Sequence, residues 1–213
     1  MRVCIAGNDQ KDYGFTMKNA LLLVDVQNDF MPGGPLGVPE GDAILPVIND
    51  SIGEYDLIAA TQDWHPPSHG SFAQNHPDYK PFDKIELNGL EQTLWPVHCV
   101  WNTRGAAFAD DLDCPRIAAI FRKGMDAGVD SYSGFFDNGR QHNTGLAEWL
   151  RAMNVQTLDI AGLAAEVCVA DTARDAAELG FETSILEQGT RPLDEKAFSQ
   201  VKQDLREQGV HFK

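Results

Sequence analysis

The sequence predicts a three-layer α/β/α domain around a mostly parallel sheet. Three observations carry that expectation. Continuous apolar runs, the first at 20–26, suit strands buried on both faces, the pattern of parallel sheets covered by helices. Such runs alternate along the chain with segments of helical composition, as βαβ units require. Polar residues with reactive side chains recur just past the apolar runs, where sheets of this kind collect ligands at the carboxyl ends of their strands.

Residues 1–16 are mixed and show no period, so they read as an N-terminal extension ahead of one domain at 17–213. The run Ala20-Leu21-Leu22-Leu23-Val24-Asp25-Val26 is the first strand. A Pro/Gly-rich loop follows at 31–35, then a helix at 43–52 and a second strand at 56–61. A third strand is expected at 116–121, a helix at 144–153 and a strand at 155–161. An alanine-rich helix at 167–179, a strand at 181–186 and a helix at 194–208 complete the chain. Between the second and third strands, residues 64–114 hold five prolines and the aromatics Trp64, Phe72, Tyr79, Phe82, Trp95 and Trp101, with little periodicity. A long irregular stretch leaving a strand's carboxyl end is expected to serve function.

With 213 residues the chain can bury a single sizeable core. Its formal charge of −15 argues against nucleic acid and anionic membranes as partners, because phosphate binding needs a basic patch. No apolar run approaches the ~20 residues that cross a bilayer. The opening Met-Arg-Val-Cys-Ile-Ala-Gly turns polar too soon for a secretory signal. Cys4, Cys99, Cys114 and Cys168 show no CxxC spacing and read as reduced thiols, which sets the expected location in the cytoplasm. No strand is followed by a GxGxxG or P-loop pattern, so a nucleotide-binding module lacks support.

Cys168 is the most informative residue. It lies on a strand-to-helix turn, where unpaired backbone N–H groups and the helix dipole favour thiolate over thiol. The same N–H groups can face a developing oxyanion. Free cysteines are more often small buried hydrophobes, so the reactive reading needs company. Asp25 ends the first strand and Lys123 follows the third. A carboxylate to take the thiol proton and an ammonium to stabilise the thiolate make a coherent set with Cys168. A second set is Asp63-Trp64-His65 with His98: in extended backbone Asp63 and His65 point to one side, and an oxygen with two imidazoles suits Zn²⁺, Fe²⁺ or Mn²⁺. His69 and His76 read as surface loop histidines, Cys99 as packing, and His142 and His211 carry no signal. The pattern of 2-His-1-carboxylate also describes an Fe(II) oxygenase, a reading that leaves Cys168 and Lys123 idle.

From about residue 19 onward the chain resembles the nicotinamidases of the isochorismatase-like cysteine hydrolases. The matching stretches are Leu-Leu-Val-Asp-Val-Gln-Asn-Asp-Phe at 22–30, Gln-Asp-Trp-His-Pro at 62–66 and His-Gly-Ser-Phe-Ala at 69–73. They continue with Leu-Trp-Pro-Val-His-Cys-Val at 94–100, Lys-Gly at 123–124, Asp-Ser-Tyr-Ser-Gly-Phe-Phe-Asp-Asn at 130–138 and the turn Gly-Leu-Ala…Cys-Val at 162–169. The resemblance implies a Rossmann-like sheet of about six strands. It implies Asp25, Lys123 and Cys168 as the catalytic triad and the N–H groups of Ala164 and Cys168 as the oxyanion hole, with a cis peptide entering Ala164. It implies Asp63, His65 and His98 as ligands of one divalent metal, Zn²⁺ first with Fe²⁺ or Mn²⁺ as alternatives, which makes 64–114 a metal-site and lid segment. Phe30, Trp95 and Tyr132 would line the pocket for a pyridine ring.

The implied reaction is hydrolysis of nicotinamide to nicotinate and ammonia through a cysteine thioester, with a small molecule as the partner and a homo-oligomer allowed. The nearest alternative is a metal-independent amidase of the same superfamily acting on a carbamoyl or ureido substrate. One departure bears on the nucleophile turn. The family commonly has Thr-Asp and then Tyr or His there, whereas this chain has Ala165-Glu166-Val167, so the longer Glu166 puts the usual acid in question.

Overall fold

The computed structural model describes residues 17–213, so the expected N-terminal extension lies outside the described residues. In chain order the elements are β1 (Lys18–Val24), α1 (Ile44–Ser51), β2 (Leu57–Asp63), β3 (Lys84–Leu87), β4 (Leu90–Thr93) and β5 (Ala119–Lys123). They continue with α2 (Leu146–Ala152), β6 (Val155–Gly162), α3 (Ala170–Glu178), β7 (Glu182–Thr190), α4 (Glu195–Glu207) and β8 (His211–Phe212). Six strands form one sheet in the order β5-β2-β1-β6-β7-β8, and every neighbouring pair is parallel. The expected α/β sheet is therefore parallel throughout, with the short β8 added at one edge.

The apolar run of β1 explains the layers. Alternate side chains of a strand point to opposite faces, so Ala20, Leu22 and Val24 pack with α2 and α3 through Leu146, Leu150, Ala173 and Ala176. Leu21 and Leu23 pack on the other face with Ile44, Leu45 and Ile48 of α1. Because both faces are covered, β1 is apolar at every position from Ala20 to Val24, and all five side chains are fully buried. At the far end of the sheet α4 begins on Asp194, whose side chain accepts from the N–H groups of Lys196 and Ala197 as a helix cap should.

Strand order reverses between β1 and β6: β2 and β5 extend to one side, β7 and β8 to the other. The loops leaving the carboxyl ends of β1 and β6 therefore diverge and open a crevice, the usual ligand position in such sheets. Two expectations are corrected. The first strand stops at Val24, because Asp25 turns into the left-handed region at φ 51° and leaves the ladder. The stretch 64–114 is not wholly irregular, since β3 and β4 pair as an antiparallel hairpin. Its turn is Asn88-Gly89, with φ 49° and 85°, the two positive values a tight hairpin needs.

Candidate active site

The nucleophile turn is built from the end of β6. Gly162 has φ 133°, and a Cβ there would fall 1.9 Å from the carbonyl oxygen of Val24, so only glycine lets this end of β6 close on β1. The Leu163–Ala164 peptide is cis. Residues Ala165–Val169 then form a single π-type turn ahead of α3, with Val169 N–H donating to Ala164 O at 3.2 Å. The expected helix at 167–179 is thus split, and Cys168 sits on a widened turn of the kind often found at functional sites. Ala164 N–H donates to no acceptor among the described residues and stays available for an oxyanion. Glu166 keeps an anchoring role despite its added methylene. Its carboxylate accepts from the N–H groups of Leu193 (3.1 Å) and Asp194 (2.7 Å), while Ala165 N–H donates to Arg191 O (2.9 Å).

Three strand ends bring Asp25, Lys123 and Cys168 together, all buried. Lys123 Nζ lies 2.8 Å from Asp25 Oδ2, 2.6 Å from Asp63 Oδ1 and 3.5 Å from Cys168 Sγ, and it donates to Ser131 O at 2.8 Å. Thr61 Oγ donates to Asp25 Oδ1 at 2.6 Å, which leaves Oδ2 turned toward the ammonium and the sulfur. A carboxylate oxygen of Asp25 is within 4.8 Å of Sγ. Burial works against the Lys123 charge, but Asp25 and Asp63 hold its pKa well above that of an ordinary lysine, so it stays an ammonium. Burial pushes the Cys168 thiol well above its usual range despite Lys123. This corrects the expectation of a resting thiolate: desolvation outweighs the turn and the ammonium, and Cys168 has to give its proton to a base. Burial, opposed by Lys123 and reinforced by Asp63, raises Asp25 and strengthens it as that base.

Asp63 joins this triad to the metal-ligand trio. One oxygen faces Lys123, and the other lies 3.5 Å from His65 Nε2 and 3.7 Å from His98 Nε2. Burial opposes the Asp63 charge, yet Lys123 and His65 hold its carboxyl well below the ordinary range. A carbonyl oxygen can only accept, so His65 Nδ1 donates to Gly124 O (2.8 Å) and His98 Nδ1 donates to Pro96 O (2.7 Å). Each ring therefore presents its Nε2 lone pair to the Asp63 carboxylate. Three electron-pair donors within 4.8 Å of one another, all buried, fit a divalent cation and little else. Gly124, at φ 65°, makes room for this arrangement: a Cβ would fall 2.3 Å from His65 Cε1.

The crevice beside Cys168 is lined by Phe30, Trp95, Tyr132, Val167 and Leu193, with Asp63, His98 and Ala164 at its polar end. Flat aromatic walls opposite a thiol and a metal-ligand trio suit a small aromatic molecule bearing a carbonyl group. Phe30, Trp95 and Tyr132 are thus on the wall as expected. Tyr132 Oη accepts from Trp95 Nε1 at 3.3 Å, and burial raises its hydroxyl above the ordinary range.

Several residues that build the site were not singled out in the sequence. Gln27 clamps Asp63 by donating to its carbonyl and accepting from its N–H, both at 2.9 Å. Asp29 accepts from Cys99 N–H at 2.7 Å, and His65 N–H donates to Cys99 O at 3.0 Å, which ties His98 to His65. The signal was a run of polar residues directly after a buried strand. His69 corrects the reading of a surface histidine: it is fully buried, its ring centroid 4.4 Å from that of His65. Burial and His65 push its imidazole down to about 4, so it is neutral near pH 7. His76 is partly buried and donates to Gly70 O at 2.7 Å, while Cys99 is buried packing as expected.

Comparison with known proteins adds an independent line. The family model for the isochorismatase domain matches residues 19–211. The chain is 47% identical to the nicotinamidase of Escherichia coli over 179 residues, 82% of this chain and 84% of that one. A solved Acinetobacter baumannii nicotinamidase/pyrazinamidase aligns with a TM-score of 0.88 at 42% identity, covering 91% of this chain and 94% of that one. The pyrazinamidase of Pyrococcus horikoshii, solved in complex with zinc, aligns with a TM-score of 0.77 at 35% identity over 92% of this chain and 98% of that one.

Proposed function

The chain belongs to the isochorismatase domain family, and within it we propose an amidohydrolase that converts nicotinamide to nicotinate and ammonia. One observation carries the reading: Lys123 touches Asp25, Asp63 and Cys168 at once, so a thiol, a base and a cation-binding trio share one aromatic crevice. The oxygenase alternative gives Cys168 and Lys123 no work, and the metal-independent amidase leaves Asp63, His65 and His98 without a cation. Neither has a named relative behind it.

Asp63, His65 and His98 would hold the metal, and Zn²⁺ is the ion we favour from the zinc-bound relative. When bound, that ion supplies a Lewis-acid contact for the pyridine nitrogen. Phe30 and Trp95 would sandwich the ring and Tyr132 would close the pocket. Asp25 takes the thiol proton of Cys168 while Lys123 stabilises the thiolate. Sulfur attacks the carboxamide carbon, and the oxyanion rests on the N–H groups of Ala164 and Cys168. Collapse breaks the C–N bond, and Asp25 returns the proton to the leaving nitrogen as ammonia. A thioester remains on Cys168. Water, deprotonated by Asp25, adds to it and releases nicotinate and the thiol. Holding the reacting groups in this way can lower a barrier by ~7–11 kcal/mol.

Among the described residues no helix is long and apolar enough to cross a membrane. A cytoplasmic location is part of the proposal and rests on the thiol pattern, with Cys99, Cys114 and Cys168 all unpaired. The test is ammonia release from nicotinamide, with and without a chelator, by the wild type and Cys168→Ala. Expected is turnover that the chelator suppresses and the substitution abolishes while metal content persists. Turnover retained by Cys168→Ala would remove the nucleophile assignment.

A further inference from the structure

Two buried groups beside the metal-ligand trio take no part in the scheme above. Asp130 is 3% exposed; its carboxylate accepts from Gln92 Nε2 at 2.9 Å and Ser131 N–H at 2.8 Å, both neutral donors. No cation pairs with it among the described residues. A buried carboxylate is costly without compensating charge. His69 is fully buried, and its Nε2 has no hydrogen-bond partner.

The His69 tautomer follows from its neighbour. The backbone N–H of Ser71 donates to His69 Nδ1 at 3.2 Å, so Nδ1 is the acceptor and the neutral ring carries its proton on Nε2. A protonated ring nitrogen cannot ligate a cation, so His69 faces the site as a donor. Ligand atoms of His65, His69 and Asp130 all lie within 4.8 Å of one another. A donor and an acceptor at that separation are joined by one water making two ordinary hydrogen bonds of ~2.8 Å. The oxygen of that water keeps a lone pair for a cation beside His65.

We infer that His69 and Asp130 form a donor–acceptor pair that holds a water ligand of the metal bound by Asp63, His65 and His98. The pair supplies the anionic charge and the orientation that fix the ion's remaining coordination, and so sets how tightly the protein holds it. The inference rests on the reading of Asp63, His65 and His98 as the metal ligands, and the experiment separates the two. Outer hydrogen-bond partners of this kind typically contribute ~10–100-fold to metal affinity.

Apo protein is titrated with Zn²⁺ against a chromophoric chelator, for wild type, His98→Ala, Asp130→Asn, His69→Leu and His69→Gln, with apo melting temperatures as a folding control. Wild type should bind one equivalent. Asp130→Asn and His69→Leu should each weaken binding ~10–100-fold at unchanged stoichiometry. His69→Gln, whose amide N–H reaches the Nε2 position, should recover most of the loss. Zinc X-ray absorption should count the same imidazoles in wild type and His69→Gln. Affinity within twofold of wild type in Asp130→Asn and His69→Leu overturns the inference, as does one imidazole fewer in His69→Gln, which would make His69 a direct ligand. No binding by wild type, or full binding by His98→Ala, overturns the ligand reading and the inference with it. Should Asp130→Asn fail to fold, the two His69 variants decide.

Discussion

Replacing Gly124 with alanine should damage the metal-ligand trio from behind. The backbone there has φ 65°, a left-handed conformation that costs an alanine ~1–2 kcal/mol. The new methyl carbon would fall 2.3 Å from Cε1 and 2.6 Å from Nδ1 of His65. The ring cannot simply retreat, since His69, His98 and Phe72 pack around it at centroid distances of 4.4, 5.1 and 5.4 Å. Overpacking of this sort costs ~1–3 kcal/mol. Alanine also stiffens the unfolded chain, which offsets ~0.4–1 kcal/mol. The net expectation is a loss of about 2–4 kcal/mol in the apo protein, from those three contributions together. The displaced ring also loses the 2.8 Å bond from Nδ1 to Gly124 O that aims Nε2, so metal affinity should fall at least ~10-fold. Urea unfolding of apo protein and chelator competition measure the two effects separately. Apo stability within ~0.5 kcal/mol of wild type together with unchanged metal affinity would refute the reasoning.

Asp25→Asn should lower kcat by ~10²–10⁴ and slow alkylation of Cys168, because the amide cannot take the thiol proton; faster alkylation would contradict the base role. Because burial holds the Cys168 thiol well above its reference value of 9.0, its alkylation rate should still be rising past pH 9; a plateau near neutrality would show a resting thiolate. Gln27→Leu should leave the N–H and carbonyl of Asp63 unpaired at ~1–3 kcal/mol each, read as a lower urea midpoint; an unchanged midpoint would mean the clamp is dispensable.

The zinc, the residue roles and the expected cytoplasmic location remain proposals, whereas the architecture was legible in the sequence for a simple reason. A strand covered on both faces must be apolar at nearly every position, and β1, β2 and β6 declare themselves that way. Residues at the ends of such runs, Asp25, Asp63 and Lys123, stood out because a charge beside a buried strand needs an explanation. The hairpin β3–β4 was less visible, because its strands are mostly exposed and its Asn88-Gly89 turn lay in a stretch read as irregular. The π-type turn under Cys168 could not be read at all, since α and π turns differ by one hydrogen-bond step and not by composition.

By itself the sequence determined the layered parallel sheet, the reactive side chains at its carboxyl end and the family to which they point. Only the tertiary structure decided that Asp63 serves Lys123 with one oxygen and the two imidazoles with the other, and that His69 and Asp130 are sealed beside them. It also decided that Cys168 rests as a thiol. The physical reason is that burial and charge pairing depend on every group within a few ångströms, and those groups come from five separate stretches of chain.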